Sequence, residues 1–302
     1  MFDVIIIGGG PAGLSAGLTL GRFRRSVLIC DGQHPRNAKS TGVHGFFSRD
    51  GIHPQELLKI AREQLTPYST VQVRSQEVID IVQSDAHFTV YFQDGASELA
   101  KKILFATGVK DVLPAIDDID ALWGKSVYHC PYCHGWEARD KAIAVLANGD
   151  ASIHYSKLLH SLSNDIVICT NGRLEMSNSE RLQLDRLGIN ITETPILHLK
   201  RQDTTLEGIV FTDGSYLQRD VIFVRPAQIQ HSLLPAKLGC AMTENGFVDV
   251  DEQGKTSIEG VYAAGDLTSM MQQVLFAASR GAASAAGINY ELAHEAFIRE
   301  VN

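Results

Sequence analysis

The hexapeptide "HCPYCH", residues 129 to 134, sets Cys130 and Cys133 two residues apart and flanks them with imidazoles. Two thiols at that spacing can hold a metal ion, form a thioredoxin-type redox centre, or work as a dithiol against some other partner. Structural zinc takes four ligands in a tetrahedron, and His129, Cys130, Cys133 and His134 contain the right atoms. The spacing argues against it. Adjacent residues rarely aim both side chains at one ion, and no second C-x-x-C or H-x-H group completes a site, so no metal is expected. C-P-Y-C is also a common dithiol of the thioredoxin fold, where the first cysteine begins a helix that lowers its pKa. Here Gly135 and a strand-like run, Ala142 to Leu146, follow closely, and no helix is expected after the pair. A dithiol working against some other redox partner stays open at this point.

A second chemical element opens the chain. In "FDVIIIGGGPAGLSAGLTLGR", apolar Val4 to Ile7 run into glycines and then into apolar positions at helical spacing. Gly8, Gly10 and Gly13 take the G-x-G-x-x-G positions, and a further strand, Ser26 to Cys30, ends at Asp31, 18 residues after the last of them. Such glycines permit a tight turn, let the backbone approach a pyrophosphate and allow close helix packing, while the helix N-terminus faces the phosphate charge. Asp31 is placed to accept from a ribose hydroxyl. Far along the chain "GVYAAGDLT", residues 260 to 268, is another strand ending at Gly265-Asp266. A second anchor favours FAD over NAD, because the flavin end extends further. Gly265 lets the backbone come close, and Asp266 is placed to accept from the ribityl or phosphate region. A helix from about Gln272 to Ile288, starting beside Gln273, directs its positive end at the flavin edge where negative charge develops on reduction. Its many alanines and glycines leave room for something flat or bulky.

These groups need elements to position them. A chain of 302 residues has room for about two domains. Its 44% apolar and 21% charged residues are an ordinary globular composition. The net charge of -8, with no basic run, repels a nucleic-acid backbone. Val4 to Leu20 is broken by glycines and a proline and lacks a basic leader, so it reads as strand, turn and helix, with no membrane span and a cytoplasmic location expected. Five cysteines with one close pair make no secreted disulfide framework. His53 or Asp50 is expected to cap a packing helix that has Pro54 in its first position. Alternation over 71 to 82 and 87 to 92, a turn at Asp94-Gly95 and the run into Thr107-Gly108 predict strands. "AIAVLA" and "DIVICT" predict a second, inserted nucleotide-domain-like unit.

In combination, "GGGPAG", "ATG" at 106 to 108, C-x-x-C inside an inserted domain, and "GVYAAGD" followed by "QQVLFAASRGAASAA" resemble the low-molecular-weight thioredoxin reductases, in the same order over essentially the full length. The resemblance implies an α/β fold of two Rossmann-like domains, the second inserted in the first. It implies an FAD-binding domain over 1–112 and 233–302, an NAD(P)-binding-like domain over 113–232 that carries the dithiol, and a homodimer. FAD contacts are implied at Gly8, Gly10, Pro11, Ala12 and Gly13, at Asp31, Thr107 and Gly108, and at Gly265, Asp266, Gln273 and Val274. Cys133 is implied as the flavin-facing thiol and Cys130 as the one exchanging with a dithiol or disulfide substrate, a small molecule or a thioredoxin-like protein.

The chain departs from that family in two places. In "VLANGDAS", residues 145 to 152, Ala147 replaces the first glycine of the second nucleotide turn, Gly149 remains and Ser152 takes the third position. A methyl group crowds the turn and a serine loosens the strand-helix contact. Where the family has a histidine-arginine-arginine run, this chain has Thr170, Asn171 and Gly172, with Arg173 the only nearby cation. A 2'-phosphate needs guanidinium partners, so little or no NADPH use is expected, while NADH stays open. The second departure is His134, where the reductases carry an aspartate. It can move a proton between thiol and solvent, titrates nearer neutral pH and favours a thiolate when protonated; the bland alternative is a ring that only satisfies a buried carbonyl. His129 reads as structural. C-P-Y-C-H-G-W-E, with Trp136 and Glu137, is similar to the dithiol-oxidase branch, which passes electrons from substrate dithiols through FAD to oxygen; other members lacking the NADPH motif use a redox protein or a second flavin. The expected activity is an FAD-dependent dithiol/disulfide oxidoreductase with Cys130, Cys133 and His134 catalytic. Its alternatives are an NADPH-dependent thioredoxin-disulfide reductase and a non-enzymatic flavin/thiol redox sensor.

Overall fold

The computed structural model describes residues 1–85 and 87–301. The chain divides into two compact units, one of Met1–Ala38, Ile52–Lys110 and Gln228–Asn302, the other of Lys39–Gly51 and Asp111–Ala227. The first begins with β1 (Phe2–Ile7), α1 (Pro11–Arg22), β2 (Val27–Cys30), α2 (Pro54–Glu63), β3 (Val71–Arg74), β4 (Val78–Gln83), β5 (Phe88–Phe92), β6 (Ser97–Phe105) and β7 (Val109–Val112). The second contains α3 (Ile119–Leu122), β8 (Val127–Tyr128), α4 (Pro131–His134), β9 (Ile143–Leu146), α5 (Asp150–Leu159), β10 (Ile166–Cys169), α6 (Asn178–Arg186), β11 (Asn190–Thr192), β12 (Ile196–Gln202), β13 (Thr205–Phe211), β14 (Tyr216–Gln218) and β15 (Val221–Val224). The chain then runs through β16 (Ala227–Gln230), which pairs with β7, to α7 (Leu234–Lys237), β17 (Val261–Ala263) and α8 (Val274–Val301).

In the first unit the strand order is β3-β2-β1-β6-β5-β4, with β17 beside β6. The strand β1 is parallel to both β2 and β6, with Val4 opposite Val27 on one side and Lys102 on the other. A central parallel strand is covered on both faces, which is why β1 is an unbroken apolar run: Ile5 packs into one core and Val4 and Ile6 into the other. The alternation read as one strand over 71 to 82 is two strands. β3 joins β2 in parallel and β4 joins β5 antiparallel, so the chain must leave the sheet between them. His53 caps α2 by accepting from the Gln55 amide, whereas Asp50 accepts from Gly45.

The helix expected from Gln272 to Ile288 begins at Val274 and continues to Val301. Its small residues serve packing within the protein: a Cβ on Gly281 would lie 2.0 Å from the Ala12 carbonyl oxygen, so α1 itself occupies the space they leave. In the second unit a parallel sheet of order β11-β10-β9-β15-β8 is buried through "IAVL", "IVIC" and "VIFV", and β12, β13 and β14 form an antiparallel meander. Lys39–Gly51, a segment without helix or extended strand, belongs to this unit, where Lys39 pairs with Asp120 at 2.7 Å. The fold is α/β, with two Rossmann-like domains and the second inserted in the first. Among the described residues no helix is long and apolar enough to cross a membrane.

Candidate active site

In the first unit the sequence-predicted cofactor residues converge on the C-terminal ends of β1, β6 and β17. Gly8 leaves β1 with φ of 118°, and a Cβ there would lie 2.2 Å from the Ala106 carbonyl oxygen. A Cβ on Gly13 would meet the Gly8 carbonyl oxygen at 1.9 Å, so this glycine lets α1 sit tightly on its strand. Gly10 differs: a Cβ there meets nothing within 4 Å. It is also the N-cap of α1 and has no side-chain capping bond, while Pro11 begins the helix without an N–H. The open N-terminus of a twelve-residue helix is thus presented to space that a phosphate can fill. Ala12 faces Gly265, whose φ of 93° no bulky residue tolerates, and Gly265 in turn lies near Ala277, one turn into α8 from Gln273 and Val274. Thr107 borders Gly8, and its buried Oγ1 has no hydrogen-bond partner among the described residues. Gly108 follows with φ of 67°, and its carbonyl accepts from His231.

The two acids are held by arginines. Asp31 is buried against Gly9, with Oδ2 2.5 Å from Arg62 and Oδ1 accepting from the Gln33 amide. Asp266 pairs with Arg36 at 3.1 Å, and the same guanidinium reaches Gln272. Neither arginine was legible from spacing, since Arg62 and Arg36 lie in segments with no motif. An uncapped helix start, room at Gly10, and an orphaned hydroxyl at Thr107 fit an FAD pyrophosphate and its flanking groups.

In the second unit Cys130 and Cys133 are joined as a disulfide, with Cα atoms 5.2 Å apart. The expectation that no helix follows is corrected. Pro131–His134 forms one helical turn, with Cys130 as its N-cap and its Sγ accepting from the Cys133 amide at 3.1 Å. Proline in the first position and glycine after the last residue permit one turn and no more. The other thiols, Cys30, Cys169 and Cys240, are buried, and burial pushes Cys30 and Cys169 up to about 12. Chemistry at sulfur is therefore confined to the pair.

His134 stacks flat on Tyr128, ring centroids 4.3 Å apart and planes 10° apart, and meets the edge of His44 at 5.9 Å. Its Nε2 lies 3.2 Å from Ser40 Oγ, and its buried Nδ1 has no hydrogen-bond partner among the described residues. Burial pushes the imidazole down to about 4, with His44 and His129 adding to the effect. A ring read from sequence as titrating nearer neutral pH is thus held neutral there by burial, and among the described residues neither nitrogen serves a buried carbonyl. His129 stacks on Trp123, while Tyr155 donates to the His129 carbonyl at 2.6 Å and steadies the strand end before the pair. Trp136 is exposed under the Arg139 guanidinium, so it is no core aromatic. Ser40 and His44 lie some ninety residues before the pair, and nothing in their spacing announces them.

The second glycine turn is closed by its own side chains. Asn148 Oδ1 accepts from the amides of Gly149 and Glu175, and its Nδ2 donates to the Arg173 carbonyl. Ser152, expected to loosen the strand-helix contact, is fully buried and donates to the Gly149 carbonyl at 2.6 Å, which ties the first turn of α5 to the glycine before it. Beyond β10, Asn171 accepts from Ile196 and the Glu193 carboxylate accepts from Leu174. The Glu193 carboxylate thus lies against the loop that follows β10, at the Leu174 amide.

Residues 2–282 match the model of the family described as pyridine nucleotide-disulphide oxidoreductase. The chain belongs to that family. It is 31% identical over 97% of its length, and 98% of the relative's, to a thioredoxin reductase of Gibberella zeae. Among solved structures, TrxB of Bacillus anthracis, described as a thioredoxin reductase, superposes with a TM-score of 0.94 at 34% identity, covering 98% of this chain and 99% of that one. An oxidoreductase from Agrobacterium tumefaciens superposes at 0.91 with 32% identity, over 97% of this chain and 99% of its own. The protein is a thioredoxin reductase-like, FAD-dependent thiol-disulfide oxidoreductase. When bound, FAD supplies a two-electron acceptor or donor for the disulfide.

Proposed function

We propose that the protein exchanges electrons between a substrate dithiol or disulfide and FAD through Cys130 and Cys133, with little or no use of NADPH. The carrying observation is a formed disulfide in a unit whose own nucleotide turn has its amides and carbonyls occupied by Asn148 and Ser152. A 2'-phosphate at that turn meets the Glu193 carboxylate held at the Leu174 amide, in place of paired guanidinium groups, which makes binding unfavourable. In the oxidising direction a substrate thiolate attacks Sγ of Cys130, the S–S bond breaks, and its electron pair leaves on Cys133. The substrate's second thiolate then attacks the mixed disulfide at the substrate sulfur, releasing the oxidised substrate and a Cys130 thiolate. The Cys133 amide supports negative charge on Cys130, and His134 is the proton acceptor of the site. The substrate is a dithiol or disulfide small molecule or a thioredoxin-like protein.

The same reading places two copies in one molecule, in the cytoplasm. Exposed Tyr290, Phe297 and Val301 on the second half of α8 offer an apolar surface for pairing, and three buried cysteines left as thiols suit a reducing compartment.

Anaerobic titration of the yellow protein tests the proposal. Dithiothreitol is expected to bleach the flavin absorbance, and NADPH is expected to leave it unchanged on the same timescale. Rapid stoichiometric bleaching by NADPH would return the protein to an NADPH-dependent thioredoxin-disulfide reductase. A single slow reduction without repeated turnover of dithiol and acceptor would instead describe a sensor.

A further inference from the structure

We infer that Ser40 sets the tautomer of His134, holding the ring proton on Nε2 and leaving Nδ1 as the atom that takes up a proton when the Cys130–Cys133 disulfide is reduced. A serine hydroxyl has one proton to give. Ser40 Oγ lies 2.8 Å from the Gly42 carbonyl oxygen, which can only accept, so the hydroxyl donates there. The same oxygen is 3.2 Å from His134 Nε2. With its proton already directed at Gly42, Oγ is an acceptor toward the ring, and Nε2 must be the N–H. A neutral imidazole carries one ring proton, so Nδ1 is left with a bare lone pair. That nitrogen is buried and finds no partner among the described residues, an arrangement that calls for a use.

The neighbours keep the ring in place without competing for Nδ1. Tyr128 covers one face of the ring and donates its hydroxyl to the Lys125 carbonyl. His44 meets the ring through its edge, and its own nitrogens lie 3.7 Å from carboxylates of Asp50 and Glu137. His129 adds a further repulsive influence, and burial keeps the ring neutral while the disulfide is intact. Reduction changes the sign of the local field. Two electrons entering the S–S bond leave two sulfurs that together require two protons for neutrality. With one on a thiol and one on Nδ1, the outcome is a thiol, a thiolate and an imidazolium, and the thiolate one residue away stabilises that imidazolium. The electrons come from the substrate dithiol, so this part rests on the proposed function, whereas the tautomer does not.

Nitrogen-15 NMR of histidine-labelled holoenzyme in its disulfide form, with His134 assigned by His134→Gln, provides the test. At neutral pH the wild-type ring is expected to show an unprotonated Nδ1 and a protonated Nε2; the reverse tautomer overturns the inference. Ser40→Ala is expected to give a mixture of tautomers, and Ser40→Thr to restore the single one. An unchanged spectrum in Ser40→Ala overturns the role of Ser40. In flavin bleaching by dithiothreitol, Ser40→Ala is expected to slow the limiting rate about tenfold and alter its pH profile without changing half-saturation, again with rescue by threonine. A uniform rate across the three proteins overturns the catalytic part. Bleaching by NADPH in wild type, with the tautomer as stated, would remove the proposed function alone.

Discussion

At the scale of single residues, His134 shows how environment reassigns a side chain whose type was legible. An imidazole beside a dithiol is a proton carrier on sequence grounds, but only burial against Tyr128, His44 and His129 decides that it is neutral. The same burial has a stability consequence. The folded ring titrates near 4 and the free ring near 6.5, so between these values the unfolded chain binds more protons. Stability is therefore complete above about pH 6.5 and declines as pH falls toward 4, by up to about 3 kcal/mol from this ring. Urea unfolding at several pH values, with His134→Gln as the reference, is expected to show that decline in wild type in excess of the variant; equal slopes would remove it. The glycines of the first turn also separate by residue. Gly10→Ala meets open space and is expected to change stability by under about 0.5 kcal/mol while lowering FAD retention. Gly13→Ala drives a methyl into the Gly8 carbonyl and is expected to lower both, as denaturation and flavin content of purified protein will show.

At the scale of elements, periodicity made the strands of both parallel sheets readable because "VIII", "IAVL" and "IVIC" are buried on both faces. What escaped were features decided by partners distant in sequence. The helical turn at Pro131–His134 is too short to leave a period, and the small residues of α8 were read as room for something flat or bulky, which at Gly281 is the backbone of α1. Gly281→Ala tests that packing. Its methyl would sit 2.0 Å from the Ala12 carbonyl oxygen, so the helices must separate, at an expected cost of about 1–3 kcal/mol in chemical denaturation. A second tie between elements is Lys102 of β6, buried between Glu291 and Glu295 of α8 at 3.3 Å and 2.5 Å, with Tyr262 donating to Glu291. Lys102→Met leaves the carboxylates facing one another without the buried cation. Glu291 keeps Lys255 at 3.5 Å and both carboxylates reach solvent, so the variant is expected to lose about 1–3 kcal/mol, visible as a lowered denaturation midpoint.

At the scale of the whole molecule, the insertion was legible from the order of motifs, because a second strand-turn-helix-strand pattern interrupts the first. The membership of Lys39–Gly51 in the inserted unit was not, since that segment carries no periodicity and its ties, Lys39 to Asp120 and Ser40 to His134, span 81 and 94 residues. The proposed function divides labour between the two sulfurs, one facing substrate and the other the flavin. Cys130 has the support for that first role: it sits at the N-cap, and its sulfur accepts the Cys133 amide. In Cys133→Ser holoenzyme, the Cys130 thiolate is expected to attack 2-hydroxyethyl disulfide, release one mercaptoethanol, and keep the other half as a mixed disulfide with no second thiol to resolve it. Intact-mass measurement would show that adduct. Cys130→Ser is expected to form its adduct at Cys133 at least about tenfold more slowly, because the Cys133 amide is directed at the sulfur of residue 130, at the N-cap of the turn. Both variants are expected to leave the flavin oxidised under dithiothreitol. Faster adduct formation at Cys133 would exchange the two roles, while bleaching in either variant would show that electrons reach the flavin without the disulfide.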